Sequence, residues 1–171
     1  GIMSIQTTIT QLRELGLHGM AEAFESMMRL PLQKRPGLER AVEKMIQTEL
    51  CIRDRKLAEK LLKAAKLRYK VFIEDITCSV ERNLTEGRLA EVADCNFIRR
   101  GENLLITGLT GCGKSYLACA LGYQACTLGL STLFLIHKIS RWIHLLKFNC
   151  SLCHLKPLFL GLFCTPEHIA S

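Results

Sequence analysis

A glycine-rich octapeptide, Gly108-Leu109-Thr110-Gly111-Cys112-Gly113-Lys114-Ser115, constrains this chain more than any other segment. It follows directly on the apolar run Asn103-Leu104-Leu105-Ile106-Thr107, which has the form of a buried parallel strand. After it comes YLACALGYQACTLG, with Leu117, Leu121 and Ala125 at helical spacing and Gly129 as a stop. Ser131-Thr132-Leu133-Phe134-Leu135-Ile136 then reads as a second buried strand. Strand, loop, helix, strand is the context in which G-x-x-x-x-G-K-[ST] cradles phosphate.

Each residue type in the octapeptide has a physical reason. Gly108, Gly111 and Gly113 let the backbone turn tightly and bring its N–H groups against phosphate oxygens. The helix that opens at Gly113 aims its positive end at the same anion. Lys114 can place its ammonium between the β- and γ-phosphates of ATP, and Ser115 can offer a hydroxyl to Mg²⁺. Leu109, Thr110 and Cys112 contribute mainly their backbone amides. Cys112 has two readings, a thiol activated by the helix N-terminus or a small residue filling the loop, and the second is favoured.

The 171 residues leave room for one ordinary domain, or for a small helical domain plus part of a second. A net charge of +7 points to an acidic partner, nucleic acid ahead of a membrane surface, although many soluble proteins carry such a balance without a partner. No apolar run reaches the ~18 residues of a membrane span, and the start lacks a signal-peptide pattern. Six of the nine cysteines are scattered through the helix-like stretches before residue 130, as reduced thiols are. The expected location is the cytoplasm.

Residues 1–80 read as a helical domain. Ser4 caps a first helix carrying Ile5, Ile9 and Leu12, with Gly16 as its stop. A second places Met20, Phe24, Met27 and Met28 on one face and ends before Pro31. A long third helix opens at Pro36-Gly37, with apolar positions Leu38, Val42, Met45, Ile46 and Leu50. Its continuation, RDRKLAEKLLKAAKLRYK, sets Arg53, Lys56, Lys60, Lys63, Lys66 and Lys70 along one side of a helical wheel. That ridge is either a DNA-phosphate contact or a solvated outer face, partly balanced by Asp54 and Glu59. Residues 81–102 read as a linker, with turn chemistry at Asn83 to Gly87 and a short helix beyond it.

The stretch FIRRGENLLITGLTGCGKSYLACALGYQACTLGLSTLFL, Phe97 to Leu135, closely resembles the IstB-like ATP-binding proteins. These are helper ATPases of insertion sequences, related to DnaC-type helicase loaders within the AAA+ group. The opening QLRELGLHGMAEAF is similar to that family's N-terminal region, so the resemblance covers about residues 3–136. It implies an α/β chain with a helical N-terminal region and an AAA+ parallel-sheet domain, here incomplete, over 103–136. It also implies ATP and Mg²⁺ at Gly108 to Ser115, assembly as a homo-oligomer on DNA, and a partner transposase. A DnaC-like loader in replication and a non-catalytic DNA-binding fragment are the alternatives. The resemblance further implies that the P-loop strand is central, that the second strand lies toward an edge, and that two further strands separate them.

The tail 137–171 is expected to depart from the family after Ile136. It contains one acidic residue, Glu167, where relatives place the carboxylates that hold Mg²⁺ and polarise the attacking water. Out-of-frame sequence, a zinc site at Cys150, Cys153, Cys164 and His168, and an unrelated helical tail are the three readings. The first is favoured, and with it a truncated family member that binds ATP without hydrolysing it.

Overall fold

Ser4 starts the first helix as its side chain predicts. Its hydroxyl accepts the Thr7 amide at 3.2 Å, and α1 runs Ile5–Glu14. At Gly16 (φ +75°) the helix ends in a paired motif, Gly16 N–H donating to the Arg13 carbonyl and Leu17 N–H to that of Leu12. Then come α2 (His18–Met28), a 3-10 turn (Leu32–Lys34) and α3 (Leu38–Ala65). The computed structural model describes residues 4–108, 111–134, 143–148 and 157–162. The chain divides into two units, Gly1–Leu57 and Ala58–Ser171, with α3 contributing residues to both.

In the first unit, α2 has no capping side chain of its own. Glu49 of α3 supplies one: its carboxylate accepts from the Gly19 amide at 2.6 Å and the Met20 amide at 3.3 Å. The anion therefore sits at the positive end of α2 and satisfies amides that the helix leaves without partners. Arg53, one turn along α3, donates to the other carboxylate oxygen at 2.7 Å. Glu49 is only 7 % exposed, and these bonds make its burial tolerable. A Cβ on Gly19 would stand 2.6 Å from the Glu49 Cα, so only glycine permits this approach. Ile9, Ala21, Ala23 and Met27 are buried, while Met20, Phe24 and Met28 are half-buried. The apolar positions Leu38, Val42, Ile46 and Leu50 of α3 face outward, Leu38 being 83 % exposed.

The second unit holds a four-stranded sheet. Its strands are β1 (Asn103–Gly108), β2 (Thr132–Phe134), β3 (Ile143–Phe148) and β4 (Pro157–Leu162), in the order β2-β3-β1-β4. The helix α6 (Lys114–Thr127) follows β1 and ends at Gly129 as expected, with Leu130 N–H donating to the Ala125 carbonyl. Its Leu117, Ala118, Leu121 and Ala125 join Leu104 and Ile106 of β1 in the core.

Residues 81–102 are part of that core rather than a spacer between units. They carry α4 (Glu86–Ala93), capped by Thr85, and α5 (Asn96–Arg99), and they bury Leu84, Leu89, Val92, Phe97 and Ile98. The expected all-parallel sheet is instead mixed. β4 runs parallel to β1, with Leu105 opposite Phe159, but β3 runs antiparallel to both β1 and β2. One strand, not two, separates β1 from β2. Connection length explains the direction: eight residues, 135–142, join β2 to β3, and a parallel crossover needs a dozen or more. The tail thus supplies partners to both edges of β1.

Replacing Gly19 by alanine forces α2 away from α3, and we expect a loss of about 1–3 kcal/mol in urea unfolding. Gly87→Ala in α4, where a new Cβ meets nothing within 4 Å, should instead stabilise by roughly 0.5 kcal/mol.

The Arg53 bond foremost, with the Gly19 and Met20 amides, holds the Glu49 carboxyl below its ordinary value against the opposing effect of burial. Its contribution is complete above the unfolded pKa of ~4.3 and is lost as pH falls through the lower folded value. Unfolding midpoints measured across that range should fall more steeply for the native chain than for Glu49→Gln.

Candidate nucleotide-binding site

The site forms where β1 gives way to α6. Gly108 (φ +152°), Gly111 (φ +87°) and Gly113 (φ +86°) take backbone conformations that side chains disfavour. Leu109 and Thr110 lie outside the described residues. The N-cap of α6 is Gly113, which has no side chain with which to close the helix end, and the backbone N–H groups of such an end suit an anion.

Lys114 is 4 % exposed, and its Nζ donates to the Gly108 carbonyl at 2.8 Å, with the Cys112 sulfur at 3.8 Å. The ammonium thus closes the loop on itself, bonding its first residue from its seventh. Ser115 follows, half-buried in the first turn. Cys112 is 3 % exposed, which fits the loop-filling reading.

Arg82 was not legible from spacing. It lies thirty residues before Cys112, donates to the Cys112 carbonyl from Nη2 at 3.2 Å, and donates to the Thr77 carbonyl from Nη1 at 3.0 Å. A guanidinium outside the motif therefore ties the loop to the segment preceding α4. A Cβ on Gly113 would meet that Nη2 at 3.1 Å, a second reason for glycine there.

The fit to ATP and Mg²⁺ rests on this donor set: a helix N-terminus whose N-cap is glycine, a buried ammonium, a hydroxyl at Ser115 and glycines that leave the cradle open. Above Gly111 a Cβ would meet nothing within 4 Å. Among the described residues no group of three His, Cys, Asp or Glu side chains could hold a metal. The zinc reading at Cys150, Cys153, Cys164 and His168 lies outside the described residues.

The basic ridge is shorter than its sequence suggests. α3 ends at Ala65, with Lys66 in a left-handed conformation (φ +51°), so Lys66 and Lys70 do not continue the helix. Arg53, Lys56, Lys60 and Lys63 lie on α3 and are exposed, as are Lys66 and Lys70. Arg53 is paired with Glu49. Among the described residues no helix is long and apolar enough to cross a membrane.

A model of the family described as IstB-like ATP binding protein matches residues 10–151. The match runs fifteen residues past Ile136, where the resemblance was expected to stop. A Pseudomonas fluorescens protein, named for insertion sequence IS1162 and ATP binding, is 42% identical over 134 residues, covering 78% of this chain and 58% of its own length. A Sinorhizobium fredii protein named for an insertion sequence and ATP binding is 35% identical over 120 residues, 70% of this chain and 49% of its own. A Geobacillus stearothermophilus protein, named for insertion sequence IS5376 and ATP binding, is 27% identical over 121 residues, 71% of this chain and 48% of its own. The chain spans about half the length of these curated relatives.

Thiol chemistry tests the loop. Cys51 is exposed, Cys112 is buried, and burial first, then Asp94, pushes the Cys95 thiol up to about 11. Mass-spectrometric mapping of alkylation near pH 8 should find Cys51 modified well before Cys95 and Cys112. Rapid labelling of Cys112 would mark it as an activated thiol.

Proposed function

Because the chain belongs to the IstB-like ATP-binding protein family, we propose that it binds ATP with Mg²⁺ at Gly108 to Ser115 and serves as a DNA-binding helper of insertion-sequence transposition. The observation that carries the reading is the loop closed by Lys114 on Gly108 at the N-terminus of α6. The names of the relatives favour insertion sequences over replication.

Lys114 would hold phosphate oxygens in place of the Gly108 carbonyl, and the loop amides and the positive end of α6 would hold the remaining charge. The Ser115 hydroxyl would be a ligand for the metal, which would neutralise phosphate charge. Arg82 keeps the loop in place by its bond to the Cys112 carbonyl. The exposed lysines at 56, 60, 63, 66 and 70 supply sequence-independent contact to DNA phosphates. A transposase is the partner, a homo-oligomer on DNA the working form, and the cytoplasm its location.

We further propose that these 171 residues by themselves bind ATP without turning it over, since Glu167 is the one acid in residues 137–171. Titration with a fluorescent ATP analogue and Mg²⁺ should give saturable binding. Lys114→Ala should weaken it at least tenfold, and Arg82→Ala by a smaller factor. Phosphate release should match that of Lys114→Ala. No nucleotide binding by the native chain would refute the site, and turnover well above the Lys114→Ala control would refute the binding-only proposal.

A further inference from the structure

Where α3 ends, the second unit contains a pocket of about 490 Å³, within the ~300–1,000 Å³ of ordinary ligand clefts. Lys63, Lys66, Lys70, Tyr69 and Tyr123 line it, with Glu59 the one acid among the lining residues. The break after Ala65 builds it. Had the helix continued, Tyr69 and Lys70 would have run on along the α3 axis. The left-handed turn at Lys66 instead brings them to the same cleft as Lys63 and as Tyr123 of α6.

The rings are braced. Tyr69 sits 6.2 Å from the ring of Tyr116, tilted by 50°, and the Arg68 guanidinium lies 5.2 Å from its centroid. Phe72 meets Tyr123 edge-on at 4.8 Å. Tyr69 remains 38 % exposed, so part of its ring surface is open to a ligand.

Three ammonium groups against one carboxylate select an anion, and repeated charge along the cleft suits a polyanion better than one small ion. Open aromatic rings among the lysines select the flat face of a base. Lysines that track phosphates, together with rings that stack bases, are how single-stranded nucleic acid is held. A duplex keeps its bases stacked and offers only its backbone.

We propose that this pocket holds a segment of single-stranded DNA, its phosphates on Lys63, Lys66 and Lys70 and an unstacked base against Tyr69 and Tyr123. The inference rests on the DNA-binding reading above and names the form of DNA that the site takes. Tyr116, against which Tyr69 packs, directly follows Ser115, so the pocket is built on the helix that opens at the P-loop.

Fluorescence anisotropy of the full chain tests it, with a labelled oligo-dT and a duplex of equal length over a range of salt. Tyr69→Ala should weaken oligo-dT binding roughly tenfold and duplex binding less than twofold. Tyr69→Phe, which keeps the ring, should retain the native affinity. Replacing Lys63, Lys66 and Lys70 together by glutamine should lower the slope of log K against log salt by about 2 on the single strand, at ~0.7 per phosphate. Saturating Mg²⁺-ATP should leave the oligonucleotide bound. Equal losses on both DNA forms, an unchanged salt slope, or competitive displacement by ATP would each overturn the pocket assignment while DNA binding itself survived. A native chain that binds neither form would remove the DNA reading and this proposal together. The substituted side chains are exposed, and matching melting curves would verify that the variants fold.

Discussion

A buried ammonium governs the second unit. Lys114 has almost no contact with water, and a charge in that position requires a bonded partner. The Gly108 carbonyl provides one at 2.8 Å, which brings the end of β1 back over the start of α6. That closure needs a backbone able to turn at Gly108, Gly111 and Gly113, and each has positive φ. Once the loop is closed, α6 can lie against the sheet and bury Leu117, Ala118, Leu121 and Ala125. Arg82 then fixes the loop from outside through the Cys112 carbonyl. The same ammonium is the group that phosphate would recruit, so the bond that organises the unit is also the one a ligand would exchange.

The first unit solves the same electrostatic problem with the opposite charge. The N-terminus of α2 receives the Glu49 carboxylate, and Gly19 makes room for it. Ser4 and Thr85 perform the equivalent task on α1 and α4 with hydroxyls. The N-cap of α6 is a glycine, which offers no acceptor of its own. The starts of α1, α2 and α4 are thus closed by side-chain acceptors, whereas the P-loop presents its backbone at the start of α6. An anion arriving there would meet the positive end of the helix dipole.

Local chemistry was legible in the sequence where one residue type decides the outcome. Ser4, Gly16 and Gly129 each cap or stop a helix as expected, and the strand, glycine loop and helix around Lys114 lie where their pattern placed them. Interactions across long separations were not legible. Glu49 reaches Gly19 over thirty residues, and Arg82 reaches Cys112 over another thirty, with no periodicity to announce either. The end of α3 was hidden for a different reason. KAAKLRYK contains neither glycine nor proline, and Lys66 adopts a left-handed conformation that its side chain disfavours. β3 and β4 lack the acidic strand ends that mark the family's later strands, and pairing with β1 asks only for backbone and short apolar runs.

Charge is divided by residue type in a way that bears on function. The four ion pairs described all use arginine: Arg13 and Arg29 on Glu25, Arg53 on Glu49, and Arg100 on Glu102. Arginine suits that role, since its planar fork holds a carboxylate in fixed geometry. The lysines at 56, 60, 63, 66 and 70 stay exposed. A hydrated point charge on a flexible stem follows a phosphate backbone without reading its sequence. Each paired arginine has a carboxylate beside it that offsets part of its charge, although Arg13 and Arg29 share Glu25. The exposed lysines concentrate toward the end of α3, where Tyr69 and Tyr123 add the only surface in the cleft able to distinguish a base from a bare phosphate.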